Sequence, residues 1–365
     1  MKVALVYDRV NKWGGAERVL LVLHEIFPTA SLYTSVYNPK TALWARVFPK
    51  ITTSFLQKIP FAKTKHNLLA PLMPFAFESF NFSEFDLVIS VTSESAKAVI
   101  TSPKTKHICL MLTPTRYLWS GYEEYFRYPL LRIISWPLVK ILQKWDIAAA
   151  NRPDIIISIS DEVSQRVKKY YGQESKIIYP PVDIQKFQSK TLKFKMAMKG
   201  LPSGDYYLIV SRLVPYKKVD VAIYAFNNLK LPLVVVGTGS ELRKLKSIAQ
   251  KNIIFAGQIS DDDLSKYYTH CKALIFPQEE DFGIVAIEAQ SAGKPVIAYK
   301  KGGALETVIE DRTGIFFEEQ KPEDIINAVK RFQKIKFSAR DCQDNAKNFS
   351  KEKFKANILQ LVKNI

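Results

Sequence analysis

Cysteine is scarce in this chain. Only Cys109, Cys271 and Cys342 occur in 365 residues, an odd number without metal-ligand spacing, which excludes a disulfide scaffold and fits a reducing compartment. Histidine is nearly as rare: His24, His66, His107 and His270 form no paired ligand motif, so no structural zinc is expected. Long hydrophobic runs are missing too. No stretch of 18 uncharged apolar residues occurs, which leaves no candidate membrane span. The opening residues, MKVALVYDRV, meet charge at Asp8 and read as a strand rather than a signal peptide. The expectation is a soluble cytoplasmic protein that begins folding at its first residue.

What is present is enough apolar material for two cores. The chain is 47% hydrophobic, and its length corresponds to two or so domains. Lysine and arginine outnumber the acids 53 to 35, a formal net charge of +18, which attracts nucleic acid, an anionic membrane surface or a nucleotide-type substrate. The lysines are dispersed and no nucleic-acid-binding module is recognisable, so nucleic acid is not an expected partner.

The stretch Pro277 to Val308, PQEEDFGIVAIEAQSAGKPVIAYKKGGALETV, carries the most chemistry. An apolar run, Ala273 to Phe276, ends at Pro277 and an acidic loop follows. After Gly283, Ile284, Ile287 and Ala292 recur at roughly helical spacing. Gly293-Lys294-Pro295 stops that helix, Val296 to Tyr299 is a second short strand, and Gly302-Gly303 turns into another helix. Two parallel strands with this crossover put Glu279, Glu280 and the amides of Gly283, Ile284 and Val285 at the carboxyl edge of a sheet, where doubly wound folds bind ligands. Helix amides beside a glycine suit a phosphate, which the helix dipole stabilises by about 0.3 to 2 kcal/mol. Neighbouring carboxylates suit sugar hydroxyls. The plainer reading is that Glu280 and Asp281 only favour the positive end of the helix.

The rest of the chain repeats this strand–loop–helix pattern. Val3 to Tyr7 is a strand, Asn11 to Arg18 a turn and Val19 to Phe27 a helix; the Gly14-Gly15 pair either admits a ligand close to the backbone or is an ordinary tight turn. Ser31 to Val36, Asp86 to Val91, Lys106 to Leu112 and Asp154 to Ser160 read as further strands, and Glu162 to Tyr171 as a helix. Pro180-Pro181 is stiff linker chemistry, and Phe187 to Lys199 a charged connection. Beyond it, strand Tyr207 to Val210 runs into a proline-stiffened turn where Arg212 and Lys217 either grip a diphosphate or are common surface cations. Two more strands end in Gly237-Thr238-Gly239 and in Gly257-Gln258-Ile259. Asp261-Asp262-Asp263 contains a D-x-D pattern, but after Ser260 it reads as a helix N-terminus with its favourable acids, not a metal site. Two segments mix aromatics or aliphatics with basic residues: Trp44 to Phe80, with Lys50, Lys58, Lys63 and Lys65, and Tyr122 to Trp145. Each is either an interfacial helix or a core helix with a solvated face.

Several of these segments together resemble one family. Glu280 and Glu288, seven residues apart, followed by Gly302-Gly303 and Glu306, resemble the Glu-x7-Glu signature and Gly-Gly-x-x-Glu turn of the retaining glycosyltransferases of family 4. Arg212-Leu213 with Lys217 is similar to that family's R-L-x-x-x-K motif, and Gly14-Gly15 to its first glycine-rich loop. Thr113 to Trp119 resembles the H-T-P-x-R-Y-x-W segment of the mannosyltransferase-like branch, and Ile178 to Asp183 its interdomain crossover. One position departs: Leu112 stands where the branch has histidine.

The resemblance implies an α/β protein of GT-B architecture, two Rossmann-like domains whose parallel sheets face an interdomain cleft. Residues 1–182 would form the acceptor-side domain and 183–349 the donor domain, with helix 350–365 packing back on the first. Arg212 and Lys217 would hold the pyrophosphate, Glu280 the transferred sugar and Glu288 the ribose hydroxyls. Phe282, Gly283, Ile284 and Val285 would complete the pocket, Gly257, Gln258 and Ile259 would meet the base, and Gly14 and Gly15 would lie by the donor phosphate or the acceptor. Leu112, Thr113, Arg116 and Tyr117 would form the acceptor-side loop. The implied reaction is metal-independent transfer, with retention, of a hexose such as mannose from GDP-mannose to a lipid-linked or polysaccharide-type acceptor. It requires no cofactor besides the nucleotide sugar, and an anionic membrane surface on the inner face of the cytoplasmic membrane is a candidate partner. The alternatives are a sugar-nucleotide epimerase of the same architecture and a nucleotide-sugar-binding protein without turnover.

Overall fold

The computed structural model describes residues 1–64, 66–126, 128–188 and 205–365. Most of the expected charged connection, residues 189–199, and Lys65 lie outside the described residues. The chain packs as two compact units: Met1–Tyr179 with Phe354–Ile365, and Pro180–Lys353. The expected division after residue 182 falls three residues later than the observed one. Val182 explains the difference, since its N–H donates to the Phe349 carbonyl and its carbonyl accepts from Lys351 N–H, fastening residues 180–183 to the second unit. In the first unit, Lys355 Nζ of the C-terminal helix lies 2.6 Å from Glu25 Oε2.

The first unit is built on seven strands, β1 (Val3–Tyr7), β2 (Ser31–Thr34), β3 (Ile51–Thr53), β4 (Leu87–Thr92), β5 (Lys106–Met111), β6 (Ile155–Ser158) and β7 (Lys176–Ile177). They lie in the order β3-β2-β1-β4-β5-β6-β7, all parallel. Every residue of β1 and β4 is buried, as strands covered on both faces must be, hence their near-continuous Val, Leu and Ile. The Asp161–Tyr171 helix shows how local sequence sets its ends. Ser160 Oγ accepts the Val163 N–H at 3.1 Å, Asp161 and Glu162 occupy the first turn, Lys168 and Lys169 the last, and Gly172 closes it in the left-handed region.

Two expectations for the first unit are corrected. The first helix begins at Gly15, not Val19; Glu17 in its first turn is favoured by the dipole and accepts the Tyr7 hydroxyl at 2.7 Å, so the turn winds early. The segment Trp44 to Phe80 is not one helix of either kind. Pro49, Pro60, Pro71 and Pro74 divide it into 3-10 turns at Leu43–Val47, Phe55–Lys58 and His66–Leu72, strand β3 and a short helix Met73–Glu78. Its aromatics part company: Phe48 and Phe77 are buried, whereas Phe55, Phe61 and Phe75 are exposed.

The second unit has six parallel strands, β8 (Tyr206–Val210), β9 (Leu233–Val236), β10 (Ile253–Gly257), β11 (Cys271–Phe276), β12 (Val296–Tyr299) and β13 (Gly314–Phe317), in the order β10-β9-β8-β11-β12-β13. Counted from its own first strand this is 3-2-1-4-5-6, as are the first six strands of the other sheet, the doubly wound order of dinucleotide-binding folds. Strand periodicity separates two cores. Tyr207, Ile209, Val235, Ile275 and Ile297 pack on one face with the Val219–Leu229 helix; Leu208, Val234, Val236, Leu274 and Ala298 pack on the other with Ala286 and Ala289. Each fully buried Leu or Ile contributes about 1.5 to 3 kcal/mol, so one charge at Leu208 would break the second layer. Ser260 Oγ accepts the Asp263 N–H at 3.2 Å, the helix cap expected of Ser260 and the acids after it.

Candidate active site

In an open doubly wound sheet the crevice forms where strand order reverses, because the loops of the two flanking strands run to opposite faces. In the second unit those strands are β8 and β11, followed by Ser211–Lys218 and Pro277–Gly283. The first loop is held by its neighbour after β9: Leu213 N–H donates to the Thr238 carbonyl at 2.9 Å, and Glu241 N–H to the Leu213 carbonyl at 3.0 Å. Pro215 then starts a 3-10 turn that carries Lys217 inward. Lys217 is buried, forms an ion pair with Glu280 of the second loop, and lies 4.8 Å from the Tyr216 ring centre. Arg212 does not join that pair. It is exposed, and its Nη2 donates to the Tyr216 hydroxyl at 2.7 Å.

The second loop is shaped by close backbone approach. Gly283, at φ 88°, precedes the Ile284–Ser291 helix, and a Cβ there would come within 2.8 Å of the Phe276 ring. Gly303 N–H donates to the Glu280 carbonyl at 2.9 Å, and a Cβ on Gly303 would stand 2.4 Å from Phe282 Cα. Only glycine lets these two turns touch. The result fixes Glu280 between Lys217 and the Gly302-Gly303 turn, with Gln278 Nε2 3.3 Å from Glu280 Oε1. The buried Gln278 Oε1 has no partner among the described residues.

The other expected donor-side residues are spread over different surroundings. Glu288 is buried and accepts the Tyr268 hydroxyl at 2.8 Å, so the two signature glutamates sit in unlike environments, one loop-borne and part-exposed, one interior. The Phe282 ring turns inward against Phe349, ring centres 5.5 Å apart. Ile284 and Val285 are half-buried, Val285 against the core. Gly257 ends β10 at φ 73° and its carbonyl accepts Gly237 N–H at 2.8 Å; Gln258 is exposed and Ile259 packs on the core.

The first unit has its own switch point, between β1 and β4, and a charged cluster fills it. Asp8, at the end of β1, accepts from Thr92 Oγ1 at 2.9 Å and from the N–H groups of Ser93, Ser95 and Ala96. Arg9 pairs with Glu94; burial raises the Glu94 pKa against the opposing pull of Arg9. Beside them Lys97 meets Asp146 at 2.6 Å, both buried, and Asp146 also accepts from Thr115, Trp119 and Tyr171. This network props up the loop that holds Thr113, Arg116 and Tyr117. Leu112 is half-buried and its N–H bonds the Thr92 carbonyl at 2.8 Å; the Thr113 hydroxyl is buried without a partner among the described residues. Gly14 is the extended residue before the first helix and Gly15 the first residue in it. The sequence reading missed Arg9, Glu94, Lys97 and Asp146; the one available signal was that Arg9 and Glu94 each follow a strand's carboxyl end.

Residues 195–349 match the family model of the group 1 glycosyl transferases. An uncharacterized glycosyltransferase of Methanocaldococcus jannaschii is 27% identical over 211 residues, 56% of each chain. The GDP-mannose-dependent alpha-(1-6)-phosphatidylinositol monomannoside mannosyltransferase of Mycobacterium tuberculosis is 26% identical over 54% of this chain and 57% of its own. The chain spans about half the length of the curated relatives it matches. Among solved structures, Anabaena HepE in complex with UDP and glucose superposes over 100% of both chains with a TM-score of 0.74 at 20% identity. The fold is GT-B, two Rossmann-like units of parallel sheet.

Proposed function

We propose that this protein is a retaining hexosyltransferase that takes its sugar from a nucleoside diphosphate sugar. The observation that carries the reading is the Lys217–Glu280 pair at the switch point of the second sheet, inside the stretch matched to the group 1 glycosyl transferases. A buried cation beside the N-terminal end of the Ile284–Ser291 helix is suited to a leaving diphosphate, where negative charge grows as the glycosidic bond breaks. The pairing with Glu280 fixes the position of Lys217, so little reorganisation is required of it at the moment of reaction. Arg212 adds a second charge from the same loop. Glu280 accepts from a sugar hydroxyl, Glu288 from the ribose, and the backbone at Gly257 to Ile259 meets the base. The acceptor hydroxyl attacks from the face that the diphosphate leaves, and the departing phosphate oxygen takes its proton, so no protein nucleophile is needed.

For the donor we propose GDP-mannose, with a lipid-linked or polysaccharide-type acceptor. The likeness of Thr113–Trp119 and Ile178–Asp183 to the mannosyltransferase-like branch supports this, as does the GDP-mannose-dependent relative. Product analysis after incubation with a panel of GDP- and UDP-sugars tests it: mannose transfer from the GDP donor with retained anomeric configuration is expected. Transfer only from UDP-sugars would overturn the donor assignment, and inversion would overturn the mechanism.

A further inference from the structure

The Pro129–Ala150 helix exposes apolar surface to a degree that packing does not explain. Leu130, Ile133, Ile134, Trp136 and Ile141 are each 57% to 72% exposed, and no other α-helix among the described residues exposes more than one large apolar side chain. From residue 129 to 141 only Val139 is buried. The other end is anchored: Leu142 joins Val139 against Leu118, Asp146 pairs with Lys97, and Trp145 Nε1 donates to Glu78 at 2.9 Å. A rigidly held helix thus presents an apolar end of about 18 Å, too short for a hydrocarbon core of about 30 Å. No helix among the described residues is long and apolar enough to cross a membrane.

The charges on this helix select the occupant. Its one acid, Asp146, is buried; Lys140 and Lys144 are exposed one turn apart on the stripe that holds Ile133 and Trp136, and Arg132 lies nearby. A second copy docking here would bring these cations against their own counterparts. An anionic lipid surface offers hydrocarbon to the isoleucines and headgroup charge to the lysines. We infer that residues 129–144 dock the protein on the face of an anionic bilayer, with the apolar end sunk to the acyl boundary and Lys140 and Lys144 among the headgroups. This inference concerns attachment and does not rest on the proposed transfer reaction.

Flotation of the full chain, without donor, on phosphatidylcholine vesicles with and without phosphatidylglycerol tests it. We expect recovery with the anionic vesicles, loss of that binding as salt rises past the screening range, and binding weakened about tenfold or more by the triple substitution Ile133→Ser, Ile134→Ser, Ile141→Ser. Circular dichroism should show the triple variant folded, since all three side chains face solvent. Equal recovery on both vesicle types, or full binding by the triple variant, would overturn the inference. So would a concentration-dependent dimer in sedimentation velocity that the triple variant abolishes without any vesicle binding, because a second copy would then be the occupant.

Discussion

His107 and Leu112 lie on one stretch of chain and test different things. His107 is fully buried with Nε2 2.8 Å from Ser90 Oγ, and burial, aided by Arg152 and opposed by Asp154, lowers its pKa from 6.5 to about 4. Between those values the unfolded chain binds a proton that the folded one refuses, so stability is present above 6.5 and is lost as pH falls toward 4. The loss amounts to about 3 kcal/mol at most. Urea unfolding at pH 7 and pH 4.5 should show a smaller drop for His107→Gln than for wild type; identical drops would contradict this. Leu112 takes the place of the histidine expected in the mannosyltransferase-like branch and offers no hydrogen bond to a sugar. With Lys217, Arg212 and Glu280 all present, we expect an active enzyme whose donor preference is altered by Leu112. Comparing hexose and deoxyhexose donors should show Leu112→His shifting preference toward the fully hydroxylated sugar. Activity in Leu112→His but with no donor in wild type would show a disabled site.

At the scale of elements, the Gly302-Gly303 turn is the piece on which Glu280 rests. Gly303→Ala forces a methyl group into the Phe282 backbone, which overpacks the turn and should cost about 1 to 3 kcal/mol. Melting temperature and kcat/KM should fall together; a variant unchanged in both would mean that the turn does not position the loop. The strands, the helix after Gly283 and its stop at Gly293 were legible in the sequence because alternation, caps and glycines are local signals. The Trp44–Phe80 segment misled because its aromatic and basic content resembles an amphipathic helix, while its prolines confine it to short turns. Contacts were the illegible part. Arg9 and Glu94 are 85 residues apart and Lys217 and Glu280 are 63, and which loops become neighbours depends on strand order, which no local pattern encodes. The Glu-x7-Glu spacing marked Glu280 and Glu288 as a pair, yet one ends beside Lys217 and the other beside Tyr268.

The whole molecule sets two sheets of the same strand order in one chain, and each carries an ion pair across its switch point, Arg9–Glu94 and Lys217–Glu280. The net charge of +18 would favour the approach of the proposed nucleotide-sugar donor and of the proposed anionic surface alike, so charge alone does not separate the two proposals. Turnover does. The most direct measurement is nucleoside diphosphate release and sugar transfer from GDP- and UDP-sugars by wild type, Lys217→Ala and Arg212→Ala, with melting curves to confirm that each variant is folded. We expect wild type to use at least one donor, GDP-mannose foremost, and each folded variant to lose about ten- to 150-fold in kcat/KM, the effect of one charge-assisted bond to the leaving diphosphate. Folded variants that match wild type, or a wild type that turns over no donor, would contradict the placement of the leaving-group site at Lys217 and Arg212.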